Sequence, residues 1–234
     1  MATGIEEFLA KESALFGFQY GIQSIPDVAE LYDAGGDTYA SSLLTGEEYG
    51  QFRQFRGWKR KVEWLAGRIA VKAAFGRYSA HAGNALPRLP VSVLNNEAHV
   101  PYFPGHPEVH LSITHSHGYA VAVVAPFDIG IDLEKIEERP LALTHYFFSE
   151  EEQNLAAARE EDSGARDGMI THIWSRKEAV SKFLQLGGNL DFKDLKVLDD
   201  EVAVKMSRET IRLLSAERDG YCISLAMSLN VLAA

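Results

Sequence analysis

The stretch IGIDLE, residues 129–134, decides the reading of this chain. Its apolar residues Ile129, Ile131 and Leu133 alternate with Gly130, Asp132 and Glu134, the period-two pattern of a strand. One face is therefore apolar, and both carboxylates project from the other. Two adjacent carboxylates repel unless they are solvated or bridged by a cation, and hard oxygen donors of this kind suit Mg²⁺. Taken alone, the pattern is explained better by an exposed strand face carrying two solvated acids.

Downstream, WSRKEAVSKF (residues 174–183) has the spacing of a helix, expected over about Met169–Leu186 with a stop at Gly187-Gly188. Glu178 and Lys182 are four apart and share a face with Trp174, while Lys177 and Ser181 form the next row. On its own the spacing favours an ordinary surface ion pair of Glu178 and Lys182 with Trp174 in the core; the functional alternative is a third metal carboxylate with lysines on phosphate oxygens. Between strand and helix, Ser149 and Glu152 make a capping box, followed by a polar loop, REEDSGARDG. Beyond the helix the chain reads as mostly β, ending in YCISLAMSL.

Upstream, VHLSIT and YAVAVVA (residues 109–114 and 119–125) read as two strands. The His115-x-His117 pair is too small a ligand set for zinc, since Cys222 is the only thiol in the chain. Residues 81–107 form a proline-rich loop region. Trp58–Arg77 has helical spacing through Val62, Leu65, Ala66, Ile69 and Ala73. It lies in a run containing Arg53, Arg56, Lys59, Arg60, Lys61, Arg68, Lys72 and Arg77, opposed only by Glu63. A charge run is usually a solvated face; here it also suits an anion clamp. Residues 1–57 carry little readable pattern. Trp64, Arg68 and Lys72 find Trp174, Glu178 and Lys182 110 positions on, and Gly118-Tyr119 finds Gly220-Tyr221 102 positions on. This faint repeat predicts two similar halves, 1–125 and 126–234, joined near Pro126.

The 234 residues are 46% hydrophobic, enough for a full core, and carry a net charge of −10. A local basic patch on an acidic chain suits a small polyanion or one acidic partner, not nucleic acid. One cysteine excludes an internal disulfide framework. The first residues, MATGIEEFLAKESALF, lack the basic-then-apolar order of a signal peptide. No apolar run reaches the ~20 residues of a membrane helix. The expectation is a soluble, cytoplasmic protein with no membrane contact.

In this order, the basic helix, Thr-His-Ser, Gly-Ile-Asp-Leu-Glu and Trp-x-x-Lys-Glu-Ala-x-x-x-Lys resemble the phosphopantetheinyl transferase superfamily, and specifically its surfactin-type members. The resemblance runs from about Trp58 to Leu186. KRKVEWLAGR is similar to the N-terminal helix motif of the siderophore-associated branch. Where family members carry a lysine or arginine before a proline, this chain has His99 and Val100 before Pro101.

The resemblance implies an α+β fold of two similar halves, each a long helix on a small antiparallel sheet, with the active site between them. It implies Mg²⁺ held by Asp132, Glu134 and Glu178, with Glu152 as a further candidate near the metal. Glu178 is either the base for the serine proton or a ligand only. Lys182 would contact the pyrophosphate and protonate the leaving group, and Lys177 would be a second phosphate contact. Arg60 and Arg68 would hold the 3′-phosphate of coenzyme A, and Thr114 and His115 would border the nucleotide. The implied reaction moves 4′-phosphopantetheine from coenzyme A to a serine of an acyl or peptidyl carrier protein, releasing adenosine 3′,5′-bisphosphate, by a monomeric enzyme. Two other readings are a non-catalytic binder of coenzyme A or carrier protein, and a Mg²⁺-dependent phosphohydrolase.

Overall fold

The computed structural model describes residues 3–83, 91–159, 162–185, 191–203 and 210–228. Backbone contacts divide the chain into two compact units: Leu9–Asp128, and the residues up to Phe8 together with those from Ile129 onward. Helix α1 (Gly4–Phe16) belongs partly to each.

The Leu9–Asp128 unit continues with β1 (Gln19–Ser24), α2 (Ile25–Leu43), α3 (Gly46–Phe52) and α4 (Trp58–His81). A short hairpin follows, β2 (Leu94–Asn95) and β3 (Pro101–Tyr102), and then β4 (His110–Ser116) and β5 (Tyr119–Ala125). Strand β5 is central, with β1 and β4 antiparallel on either side. Helix α4 covers this sheet, burying Leu65, Ala66, Ala70, Val71, Ala74 and Phe75. Of residues 1–57, which show little pattern in the sequence, the described residues 3–57 form three helices and a strand. Ser24 starts α2 by accepting from the Asp27 amide, with proline in the first turn. Thr45 starts α3 through a full capping box with Glu48.

The second unit contains β6 (Ile129–Lys135), α5 (Ala142–Phe147), α6 (Glu150–Ala157) and α7 (Ser163–Leu184). After a 3₁₀ turn at Phe192–Asp194 come β7 (Glu201–Ala203), β8 (Thr210–Arg218) and β9 (Tyr221–Ser228). The sheet order is β6-β9-β8-β7, antiparallel throughout. The capping box of Ser149 and Glu152 starts α6 as expected. The polar segment read as a loop is helical from Ser163, because the Asp162 side chain accepts from the Ala165 amide and caps α7. The stop expected at Gly187-Gly188 lies outside the described residues; α7 ends at Leu184 on Gln185, which is left-handed.

Each unit has a strand pressed against its long helix at a glycine. A Cβ at Gly21 would stand 2.1 Å from the Ala70 carbonyl oxygen, and one at Gly130 would stand 2.1 Å from that of Ala179. Gly130 follows Gly21 by 109 positions, as Ala179 follows Ala70. The register of 110 expected from the sequence is therefore one residue out for the helices: Trp174 answers to Leu65 and Lys177 to Arg68. Strands β5 and β9 keep the offset of 102.

Gly130→Ala forces Cβ against backbone atoms that cannot turn away. Overpacking of this kind costs about 1–3 kcal/mol, and each kcal/mol moves Tm by about 2–4 °C in a chain of this size. Calorimetry should place Gly130→Ala clearly below the parent. Gly105→Ala, where the added Cβ meets nothing within 4 Å, should melt with the parent or above it.

Candidate active site

Asp132 and Glu134 leave β6 on one face, as the alternation requires. Asp132 is 3% exposed, and its Oδ1 accepts from Lys182 Nζ at 2.6 Å. Glu134 is held on both oxygens. Arg139 donates to Oε2 at 2.8 Å, and the Trp174 indole N–H donates to Oε1 at 3.1 Å. The indole is fixed in turn by Phe147 and Phe192, with ring centroids 5.2 and 5.5 Å away. Glu178, half-buried on α7, has its proton affinity raised by burial and then by the charges of Asp132 and Glu134, against the lowering effect of Lys182. Strand and helix thus bring Asp132, Glu134, Glu178 and Lys182 into one electrostatic environment.

Among the described residues, no three His, Cys, Asp or Glu side chains are grouped closely enough to hold a metal ion as they stand. The donor set fits Mg²⁺ in kind, since all three groups are hard carboxylates.

Lys177 and Glu152 have interior roles. Both side chains are 0% exposed, with Nζ 2.8 Å from Glu152 Oε2. The ammonium also donates to the Phe192 and Leu195 carbonyls, so its three donors are taken. Glu152 accepts from the Ser149 and Val197 amides as well. The reading of Lys177 as a phosphate contact and of Glu152 as a metal candidate is corrected on this ground: the pair braces α7 against α6 and the segment after α7. Glu48 does the same work in the other unit. It accepts from Lys72 at 2.6 Å and from the Val93 amide at 3.2 Å, with Arg68 Nε 3.7 Å away.

The basic run divides. Arg68 and Lys72 are buried, 4% and 9% exposed, while Arg53, Arg56, Lys59, Arg60 and Arg77 are exposed. Burial pushes the Arg68 guanidinium down to about 10, with Glu48 opposing the shift. Arg68 stacks on Trp64 at 4.4 Å and donates to Asn95 Oδ1 at 3.1 Å. Arg60, Trp64, Arg68, Asn95, His99 and His115 line a cleft of about 500 Å³ in the Leu9–Asp128 unit. Glu63, which also lines it, is 3.8 Å from Lys59. Thr114 does not share that wall. Neighbours on a strand face opposite ways, so His115 is exposed and Thr114 is 5% exposed on the other face.

Sequence reasoning missed Arg139, Asn95 and Glu48. Arg139 also donates to Thr171 Oγ1 at 3.2 Å. Its segment, EERP, has no periodicity to reveal a partner. Thr45 followed by Glu48 was a readable capping box. The lone Cys222 is buried, and burial raises its thiol to about 12, which leaves it inert at neutral pH.

Residues 128–226 match the 4′-phosphopantetheinyl transferase superfamily, and residues 55–125 match the 4′-phosphopantetheinyl transferase N-terminal domain. A holo-[acyl-carrier-protein] synthase of Lactococcus lactis subsp. cremoris is 40% identical over 92 residues, 38% of this chain and 77% of the relative. A 4′-phosphopantetheinyl transferase of Bacillus subtilis is 26% identical over 164 residues, 70% of each chain. A solved holo-(acyl-carrier-protein) synthase of Bacillus anthracis, in complex with CoA (3′,5′-ADP), is 30% identical. The overlay covers 47% of this chain and 93% of that one, with a TM-score of 0.38. The chain belongs to the 4′-phosphopantetheinyl transferase superfamily.

Lys177→Met leaves Glu152 buried without its cation, and breaking a buried pair costs about 3–5 kcal/mol. Urea unfolding should show that loss, and adding Glu152→Gln should recover part of it; a single variant as stable as the parent would discount the brace. For Glu178 the sign follows from its raised proton affinity: the folded state holds the proton more tightly than the unfolded chain. The stability it lends is full below the ordinary value of 4.5 and is lost as pH rises through the higher folded value. In the metal-free protein, Glu178→Gln should melt above the parent at neutral pH and converge with it in acid. Parallel Tm curves would show that ionised Glu178 costs nothing.

Proposed function

We infer that this chain transfers 4′-phosphopantetheine from coenzyme A to a serine of an acyl or peptidyl carrier protein. The observation that carries the reading is the Asp132–Lys182 ion pair, with Asp132 and Glu134 near enough to Glu178 to raise its proton affinity, all within the stretch that matches the transferase superfamily. Coenzyme A is the donor substrate and the carrier protein the acceptor.

The serine oxygen attacks the phosphorus on the pantetheine side of the pyrophosphate. The bond from that phosphorus to the bridging oxygen breaks, and adenosine 3′,5′-bisphosphate leaves. Glu178 is read either as the base that receives the serine proton or as a metal ligand only. Lys182, held by Asp132, brings positive charge and a proton to the side where the leaving oxygen develops charge. Arg60 and Arg68 give the cleft of the other unit its attraction for phosphate. Asp132, Glu134 and Glu178 are the residues that would hold Mg²⁺, which would neutralise the pyrophosphate.

The finer reading is a surfactin-type enzyme with halves 1–125 and 126–234, acting as a monomer in the cytoplasm. The matches to an N-terminal domain and to the transferase superfamily within one chain support it. Among the described residues no helix is long and apolar enough to cross a membrane.

The test mixes the protein with coenzyme A, Mg²⁺ and a panel of apo carrier proteins and reads intact masses. One phosphopantetheine should be gained on a carrier, the gain should vanish with EDTA, and Asp132→Ala should abolish it without loss of Tm. Full transfer by Asp132→Ala would remove the carboxylate site from the mechanism. Coenzyme A binding with no transfer to any carrier would favour a non-catalytic binder.

A further inference from the structure

The loop that leaves β6 carries Glu137, Glu138 and Arg139 in a row. The two acids are exposed, while Arg139 is turned partly inward, its side chain 15% exposed. Its guanidinium reaches two elements at once. A terminal nitrogen donates to Glu134 Oε2 on β6 at 2.8 Å, and Nε donates to Thr171 Oγ1 on α7 at 3.2 Å. The same terminal nitrogen donates to the Lys135 carbonyl at 3.4 Å. Thr171 has no exposure, so the anchor lies in the interior of the unit.

Thr171, Trp174 and Glu178 stand at positions one, four and eight of a helical run and so share one face of α7. Arg139, anchored on the first, and the indole of the second hold opposite oxygens of Glu134. A surface ion pair by itself contributes little. This one is fixed at both ends, and the group it fixes is a carboxylate of the acidic cluster. Each carboxylate oxygen has two lone pairs, so one hydrogen bond to each leaves Glu134 able to meet a further cation. Groups that orient a carboxylate in this way govern how well it binds a metal.

We propose that Arg139 is a positioning residue: anchored on Thr171, it fixes the direction in which Glu134 presents its carboxylate, and through Glu134 it sets the affinity of the acidic cluster for a divalent cation. The proposal rests on the reading of Asp132, Glu134 and Glu178 as the cation-holding residues. The guanidinium works by its shape as well as its charge. Its planar fork meets Thr171 and Glu134 together, which a single ammonium on a flexible stem does not reproduce.

The experiment measures Mn²⁺ affinity of the full chain by electron paramagnetic resonance, with coenzyme A present, alongside Tm and steady-state transfer. Arg139→Lys keeps the charge and loses the fork, and should bind Mn²⁺ about tenfold more weakly. Thr171→Val removes the anchor and keeps Arg139, and should weaken binding in the same direction by a smaller factor. Transfer by Arg139→Lys should fall about tenfold at low Mg²⁺ and return to within about twofold of the parent when Mg²⁺ is saturating. In a Glu134→Gln background, adding Arg139→Lys should change Mn²⁺ affinity by less than about twofold, because the two residues act as one unit. If the parent binds Mn²⁺ and Arg139→Lys binds it equally well, whatever its Tm, the arginine serves the fold alone, and the proposal is overturned while the reading of the cluster stands. A loss of the same size with and without Glu134 would show that Arg139 acts by another route, and would also overturn it. If the parent binds no Mn²⁺, the carboxylates hold no cation, and both fall.

Discussion

A Cβ on residue 130 would stand 2.1 Å from the Ala179 carbonyl oxygen and 2.6 Å from the Phe183 amide nitrogen. With glycine there, α7 lies directly on β6, backbone against backbone. Asp132 is two residues along the strand, and Glu178 precedes the contacted Ala179. The same close approach therefore brings both carboxylates together. Any side chain at 130 lifts the helix, and the distance between the acidic groups grows with it. Gly21 and Ala70 repeat the constraint in the other unit, where the helix it seats carries Arg68.

Once seated, each long helix is locked by a buried ionic brace. A capping-box glutamate starts the preceding short helix, accepts an amide from a later segment, and takes a cation from the long helix. Glu152 uses Lys177 and Val197; Glu48 uses Lys72 and Val93, with Arg68 beside it. A carboxylate with no exposure is tolerable only when its oxygens are occupied this fully. The brace fixes rotation and register of α7, and so the direction in which Glu178 and Lys182 leave it. Lys177 and Glu178 are adjacent in sequence and face opposite tasks, one inward and structural, the other toward the acidic cluster.

Two carboxylates of that cluster are paired by neighbouring cations. Lys182 is paired to Asp132 and Arg139 to Glu134, while Glu178 keeps a raised proton affinity through burial and the two nearby acids. An environment in which one carboxylate is reluctant to ionise beside two that are ion-paired separates the roles of three otherwise similar groups.

The sequence by itself determined the local elements and the chemistry they carry. Alternation in IGIDLE put Asp132 and Glu134 on one face, and helical spacing put Glu178 with Lys182. Ser149 and Glu152 declared a helix start, and the ordered motifs pointed to the superfamily. These features depend on neighbours within about one turn or one strand, which a sequence displays. Strand β1 was not legible, because its buried position is Gly21, while the residues that alternate as apolar, Tyr20 and Ile22, are only half-buried. Only the tertiary structure decided that Lys177 and Glu152 are interior partners, that Arg68 is buried while Arg60 is exposed, that Arg139 holds Glu134, and that His99 occupies a left-handed position beside the arginines. Each of these turns on which distant segment covers a side chain, and burial of that kind leaves no periodicity in the chain.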